Sequence, residues 1–448
     1  MRSPIAFLLE GFARGRDAEA LVCAGRSVTY GELLEAVERT RARLDAAGLP
    51  RGAVVALEAD FSPEAVAALL ALIERGAVVV PLTDSVAARH ETFRRIAQVE
   101  WRLAADGAPT ATGLRAEHPF YTRLRREDHP GLVLFSSGSS GEPKAAVHDW
   151  LPLLEKFHAP RPALRTLAFL LFDHIGGLNT LLYGLANGAC LVVVEDRGPE
   201  TVCRAIERHR VELLPTSPTF LNLMLAGGAW RRHDLSSLRR ITYGTEPMPQ
   251  STLERLHAVF PGVELQQTYG LSELGILRSK SRGPNSLWVK IGGEGFETRV
   301  VDGLLEIRAR SAMLGYLNAP SPFTDDGWFR TGDAVEVEGE WMRILGRRSE
   351  LINVGGEKVY PAEVESVLRT LDGVLEVAVT GEAHPLTGQI VKAVVRLAAD
   401  EEPAAFRRRM RVHCRGRLAP YQIPQKVVFS DRPLHGERFK TLRREAGI

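Results

Sequence analysis

Apolar and polar positions along the first three quarters of the chain fall into blocks whose period keeps switching. Residues 62–82 set the pattern. Ser62-Pro63-Glu64 has the chemistry of a helix start: a hydroxyl that accepts backbone N–H bonds, then proline where no N–H is needed. The run AVAALLALIER that follows predicts a helix, Gly76 ends it, and AVVVPL reads as a buried strand. The order returns at 179–195, where NTLLYGLANGACLVVVE reads as helix, Gly188 and strand. GPETVCRAIERHR then predicts a further helix and VELLP a short strand. Such alternation predicts an α/β fold, layered, with mostly parallel sheets.

The character changes near 346–356. Beyond it the chain reads helix (PAEVESVLRTL), strand (VLEVAVTG), strand (IVKAVVRLA), helix (AAFRRRMRVHCRGRL) and strand (KVVFS). That is a small α+β module. A boundary near Arg348–Ser349 is expected, dividing a large body, 1–348, from a module, 349–448.

Composition narrows the function classes. With 448 residues, 45% apolar and 25% charged, the chain is ordinary globular protein. Its 57 basic and 55 acidic residues leave a formal charge of +2, which lacks the basic excess of a nucleic-acid binder. Only eight of the basic residues are lysines, so each lysine draws notice. Four scattered cysteines (Cys23, Cys190, Cys203, Cys414) form no CxxC pair and read as small buried hydrophobes in a reducing compartment. The N-terminus lacks a signal-peptide pattern, and the longest apolar stretch, Ala65 to Ile73, is roughly half of what a bilayer span needs. A soluble, cytoplasmic protein is expected.

Three segments carry candidate chemistry. In LFSSGSSGEPK (134–144), a strand runs into Ser136, Ser137, Gly138, Ser139, Ser140 and Gly141, then Pro143 and Lys144. Glycines there let backbone N–H groups converge on phosphate oxygens, and Lys144 adds charge. It is neither a Walker loop nor a dinucleotide fingerprint, and a plain turn has the same composition. In QTYGLSELG (267–275), Tyr269 can stack on a purine, Ser272 can reach a phosphate and Glu273 can hold Mg²⁺; the bland alternative is a loop with Ser272 as a helix N-cap. In GWFRTGD (327–333), Asp333 beside a glycine turn could accept two ribose hydroxyls or simply stabilise the turn.

Order and spacing decide among these. The three segments are preceded by SVTYGEL (27–33), take YGTEPMP (243–249) between the first and the second, and are followed by Gly346-Arg347, by GGEKVYPAEVE (355–365) and finally by Phe439-Lys440. Together they resemble the superfamily of adenylate-forming enzymes: acyl- and aryl-CoA synthetases, luciferases and nonribosomal peptide synthetase adenylation domains. The resemblance runs nearly end to end. It implies that the Ser136–Lys144 loop handles the β and γ phosphates of ATP, that Gly244, Thr245 and Glu246 line the adenine, and that Tyr269 stacks on it. Ser272 would contact the α-phosphate and Glu273 would hold Mg²⁺. Asp333 would grip the ribose, helped by Arg347, and Lys440 would bridge the carboxylate and the α-phosphate. It further implies that the small C-terminal domain is mobile and assembles the site on closing. Three departures stand out: Ser349 occupies the hinge position usually held by Asp or Lys, Phe439 precedes the lysine where Gly is usual, and Ala145 follows Lys144.

The segment LFDHIGG (171–177) resembles the stretch beside the acyl pocket of CoA ligases. With His174 and Gly176-Gly177 as anchors, Ile175 takes the position where amino-acid-activating domains carry aspartate; in a register one residue shorter, Asp173 would take it. The first register implies a fatty or aryl acid without an α-amine. His174, Ile175, Phe220, Tyr243, Thr268 and Gly270 are then expected around the acid, although packing would explain several of them equally well. Gly355 and Gly356 match the loop flanking the pantetheine tunnel. The thiol could be CoA or a carrier-protein phosphopantetheine, and CoA is the expected acceptor. A chain that retained only adenylate binding would be expected to have lost Lys440 or Glu273, and both are present.

Overall fold

The computed structural model describes residues 3–137 and 142–443. Gly138, Ser139, Ser140 and Gly141 therefore lie outside the described residues, as does the side chain of Ser137.

Two seven-stranded sheets form the body. One runs, in spatial order, Glu264–Gln267, Arg240–Tyr243, Leu213–Thr216, Thr166–Ala168, Leu191–Val193, Glu19–Cys23 and Arg26–Thr29, and is parallel except at its last pair. The other has a parallel centre, Gly131–Ser137, Val78–Leu82, Val54–Glu58 and Trp101–Ala104, with antiparallel edges. Strand periodicity divides their side chains between layers. Val55, Leu57, Val79, Leu132 and Leu134 join Leu21, Ala168 and Leu191 in one core between the sheets, while Val54, Ala56, Val78 and Val133 face an outer layer.

The helix predicted from Ser62 fills that shared core. It spans Pro63–Glu74, and the Ser62 hydroxyl accepts from the Ala65 amide. Every residue from Ala65 to Ile73 is buried, so it is apolar on all sides, packed against the helix Tyr30–Ala46 and the strands Val54–Glu58 and Val78–Leu82. Each buried Leu, Ile or Val there contributes about 1.5–3 kcal/mol relative to exposure. The helices Ile175–Ala186 and Pro199–His209 and the strand Leu213–Thr216 also form as the sequence predicts.

A third, six-stranded sheet built between Ser279 and Arg347 is antiparallel throughout. The α/β alternation did not foretell it. Beyond it, helices Pro361–Leu368 and Pro403–Cys414 pack on strands Val374–His384 and Gly388–Leu397 around a core of their own, with Lys426–Phe429 pairing alongside. All four cysteines are free, and no described helix is long and apolar enough to cross a membrane.

Candidate functional site

Four neighbouring strands of the parallel sheet deliver the candidate residues at their carboxyl ends, where open α/β sheets place ligands. After Thr166–Ala168 comes His174, after Leu213–Thr216 comes Ser217, after Arg240–Tyr243 come Gly244 to Glu246, and after Glu264–Gln267 come Thr268 and Tyr269. The second sheet adds Ser136 and Lys144 from one hairpin.

Glu273 is the centre of the first cluster. Its carboxylate Oε1 accepts from the Tyr316 hydroxyl at 2.7 Å and from Ser136 Oγ at 3.3 Å, and the group is buried. Lys144 lies over the Tyr316 ring, its Nζ 5.4 Å from the centroid. Ser272 initiates no helix. The chain turns through Ser272–Leu274 between short strands Tyr269–Leu271 and Gly275–Leu277, and Gly275 takes the positive φ of +80° that this turn needs. The Ser272 carbonyl accepts from Nε2 of buried His148 at 2.7 Å, and burial pushes the imidazole down to about 4, leaving it neutral.

Asp333 forms the second cluster. Its Oδ2 accepts from the Tyr269 hydroxyl at 2.5 Å and its Oδ1 faces Arg347 Nε at 2.8 Å, while Arg347 also donates to the Thr331 carbonyl at 2.7 Å. Burial pushes the Asp333 carboxyl up, against the pull of Arg347 and Tyr269.

Glu246 and Lys440 bring the C-terminal module to this body. One Glu246 oxygen accepts from the Thr219 amide at 2.8 Å and the other from the Thr441 amide at 3.2 Å. Lys440, half-buried, faces Glu246 and Glu273 along with the cations Arg438 and Arg347; burial, followed by Arg438, pulls its pKa down to about 8. His174 caps the helix Ile175–Ala186 by accepting from the Gly176 amide at 3.1 Å. Burial, with Arg438 and Lys440 nearby, drives the imidazole well below its ordinary range, so it is neutral beside two cations.

The glycines of LFDHIGG have a packing cause. A Cβ at Gly177 would sit 1.9 Å from the Leu171 carbonyl oxygen, so the helix can approach that backbone only with glycine there. Gly244 likewise backs onto Thr268, and Gly270 onto Gly275 and Ile276. Ile175, Phe220 and Tyr243 are buried, and the Thr268 hydroxyl donates to the Tyr243 carbonyl at 3.1 Å. Asp173 is buried with Oδ2 3.5 Å from Arg438.

Gly355 and Gly356 form the two-residue turn between Ile352–Val354 and Glu357–Val359, with φ of +61° and +95°. A Cβ at either would meet nothing, so backbone conformation and not crowding demands glycine there. Ser349 is exposed in a single 3₁₀ turn after the strand Trp341–Arg347. His148, Tyr316, Ser217 and Thr219 are site neighbours that sequence reasoning missed. His148 had one signal: it shares a strand face with Ala146 and Lys144.

The architecture matches solved adenylate-forming enzymes. An anthranilate CoA ligase, AuaEII, in complex with anthranoyl-AMP superposes with a TM-score of 0.83 at 22% identity, over 99% of this chain and 96% of that one. The model of the AMP-binding enzyme family matches residues 9–100 and 89–303, and that of the AMP-binding enzyme C-terminal domain matches 363–437. The chain belongs to the AMP-binding enzyme family. It is 29% identical to an indoleacetate–CoA ligase of Aromatoleum aromaticum, over 91% of this chain and 90% of the relative. It is also 29% identical to a feruloyl-CoA synthase of an Amycolatopsis species, over 93% and 92%.

Proposed function

We propose that this enzyme joins a carboxylic acid to ATP, releasing pyrophosphate, and passes the acyl group of the resulting acyl-adenylate to the thiol of CoA, releasing AMP. The observation that carries this reading is the placement of Lys440 beside His174 and Glu246, which follow strands of the parallel sheet, with the Thr441 amide bonded to Glu246 and with Glu273 and Arg347 facing the lysine from a hairpin turn and from the antiparallel sheet. A carboxylate oxygen attacking the α-phosphorus brings two anions together while charge grows on the phosphoryl oxygens. A cation held in a half-buried site offsets that repulsion far better than one in water. With its pKa near 8, Lys440 is still protonated at neutral pH. The neutral His174 adds no competing charge.

Glu273 is the residue that would hold Mg²⁺, and it suits the ion: a buried carboxylate whose Oε2 makes no hydrogen bond among the described residues. The ion would neutralise the departing pyrophosphate. Asp333 and Arg347 would hold the ribose, Tyr269 and Gly244–Glu246 would border the adenine, and Ser136, Ser272 and Lys144 would reach the phosphates. The 1–348 body and the 349–448 module, hinged at Ser349, would supply the two working parts, with Gly355 and Gly356 beside the thiol path.

The acid is proposed to be a fatty or, preferentially, an aryl acid without an α-amine. Asp173, which would have to receive an ammonium group, is instead turned toward Arg438 of the C-terminal module, and the relatives named above act on indoleacetate and ferulate. ATP–pyrophosphate exchange over a panel of fatty, aryl and amino acids tests this reading, followed by mass analysis of products formed with CoA or with a phosphopantetheinyl carrier protein. Exchange with aryl or fatty acids and a CoA thioester is expected. Exchange with amino acids alone would overturn the acid class, and acylation of the carrier alone would overturn the acceptor.

A further inference from the structure

Phe439, which directly precedes Lys440, has a left-handed backbone, φ +48°. Such a conformation costs a non-glycine residue about 1–3 kcal/mol, and glycine would adopt it freely. A large side chain persists there only if its contacts outweigh that cost. They are extensive, and they reach across to the body. The ring lies 5.4 Å from Phe169 and 5.6 Å, edge-on, from Phe220, both themselves fully or nearly fully buried. His435 stacks on it at 5.0 Å with planes 16° apart, and the Arg197 guanidinium caps it at 5.7 Å.

The backbone is held as firmly as the ring. Ser217 accepts from the Phe220 amide at 3.2 Å, capping the helix Pro218–Ala226, and donates to the Phe439 carbonyl at 2.6 Å. On the far side of Lys440, the Thr441 amide donates to Glu246 and its hydroxyl lies 3.1 Å from that of Thr219. Within the turn, the Phe439 amide donates to the Gly436 carbonyl at 2.8 Å and the Gly436 amide to the Lys440 carbonyl at 3.2 Å. Lys440 itself has no ion-pair partner among the described residues. Its position therefore depends on its neighbours.

We propose that Phe439 is a positioning residue, a latch whose ring, seated in the Phe169–Phe220 socket, sets Lys440 in place for acyl-adenylate formation. This rests on the role proposed above for Lys440. Adjacent Cα atoms are about 3.8 Å apart, so a seated ring leaves the lysine backbone little freedom. Thioester formation from a finished acyl-adenylate has no carboxylate attack on phosphorus and needs no cation at that point, so the latch serves one half-reaction.

The test compares Phe439→Gly and Phe439→Leu with the parent enzyme. Glycine empties the socket while relieving the left-handed backbone, so folding is expected to survive; leucine refills the socket in part. A misplacement of about 1 Å can cost about 100-fold in rate. In Phe439→Gly the kcat of ATP–pyrophosphate exchange should accordingly fall at least about tenfold, with Phe439→Leu intermediate. Thioester formation from supplied acyl-adenylate and CoA should stay near the parent rate. A second readout needs no turnover: acetylation of Lys440 by acetic anhydride, followed by peptide mass analysis, should accelerate in the glycine variant. Unchanged exchange, or an equal fall in both half-reactions with unchanged Lys440 acetylation, would overturn the latch. A parent enzyme that exchanges with no acid would instead overturn the adenylation reading on which the latch rests.

Discussion

Replacing Arg443 with methionine should destabilise the protein by about 3 kcal/mol, because it strands a buried carboxylate. The guanidinium meets Glu365 twice, at 2.8 Å through both Nε and Nη2, and reaches Glu350 at 2.9 Å. The Glu365 side chain is 1% exposed. Burial alone would push its carboxyl up, yet Arg443, Arg369 and the Val379 amide hold it below the usual range. Removing one partner of a buried pair costs about 3–5 kcal/mol, and the lower figure applies because Arg369, at 3.7 Å, and the Val379 amide remain. In the variant, the folded-state pKa of Glu365 rises above the unfolded one. Its destabilisation should therefore be smallest at acid pH, where the carboxyl is protonated in both states, and should grow as pH rises above the ordinary carboxylate value. Urea unfolding at pH 5 and pH 8 measures this. The double variant Arg443→Met/Glu365→Gln should recover part of the loss, since the neutral amide removes the stranded charge while its oxygen can still accept from the Val379 amide. Single-variant stability within about 0.5 kcal/mol of the parent at pH 8 would refute the reasoning.

Three further changes have defined outcomes. Gly177→Ala must move the helix Ile175–Ala186 off the Leu171 carbonyl, costing about 2–3 kcal/mol and lowering adenylation through His174, whereas Gly176→Ala meets side chains alone, the flexible end of Leu170 at 2.7 Å and His174 Nδ1 at 3.1 Å, and should cost less stability, as thermal melts and exchange rates would register. The exchange rate should fall above pH 8 as Lys440 loses its proton, and Lys440→Arg, if active, should show no such fall in a pH–rate profile. Lys156, whose Nζ donates to the Ile276 carbonyl at 3.0 Å, is pulled by burial down to about 7, so from there to its unfolded value of 10.5 the unfolded chain binds more protons and stability rises with pH. Lys156→Met should accordingly be more stable by about 2 kcal/mol at pH 6 in urea titrations, an advantage that fades toward pH 10.

Elements that bury a whole face were the legible ones. The helix from Ser62 and the strand after Gly76 announce themselves because capping, period and glycine agree, and the structure reproduces each. The antiparallel sheet between Ser279 and Arg347 did not. Its shorter strands, such as Ser279–Ser281 and Trp288–Ile291, carry half-buried mixed patterns that a period-2 reading cannot separate from loop. Ser272 as a helix cap failed for a related reason: a hydroxyl before an apolar residue marks a cap only where the chain continues helical, and Gly275 turns it back into a hairpin. Among site residues, those on named motifs were legible, while Tyr316 and His148 were not, because each acts through one oxygen of a residue far away in sequence.

Glu246 carries the consequence furthest. By motif it belongs to the loop proposed to border the adenine, yet its two carboxylate oxygens tie the Thr219 amide of the body to the Thr441 amide of the C-terminal module. One short loop, Gly244–Glu246, thus faces both the proposed nucleotide and the segment carrying Lys440. The loop contains one non-glycine residue in the left-handed region, Thr245 at φ +74°, whose buried hydroxyl has no partner among the described residues. A strained backbone with an unpaired donor is a conformation that a ligand can stabilise, and a ligand favours whichever state it binds better. Nucleotide bound against this loop would therefore favour the same Glu246 position that receives Thr441. On the proposed assignments, binding of ATP and docking of Lys440 would be coupled through one carboxylate, each favouring the other.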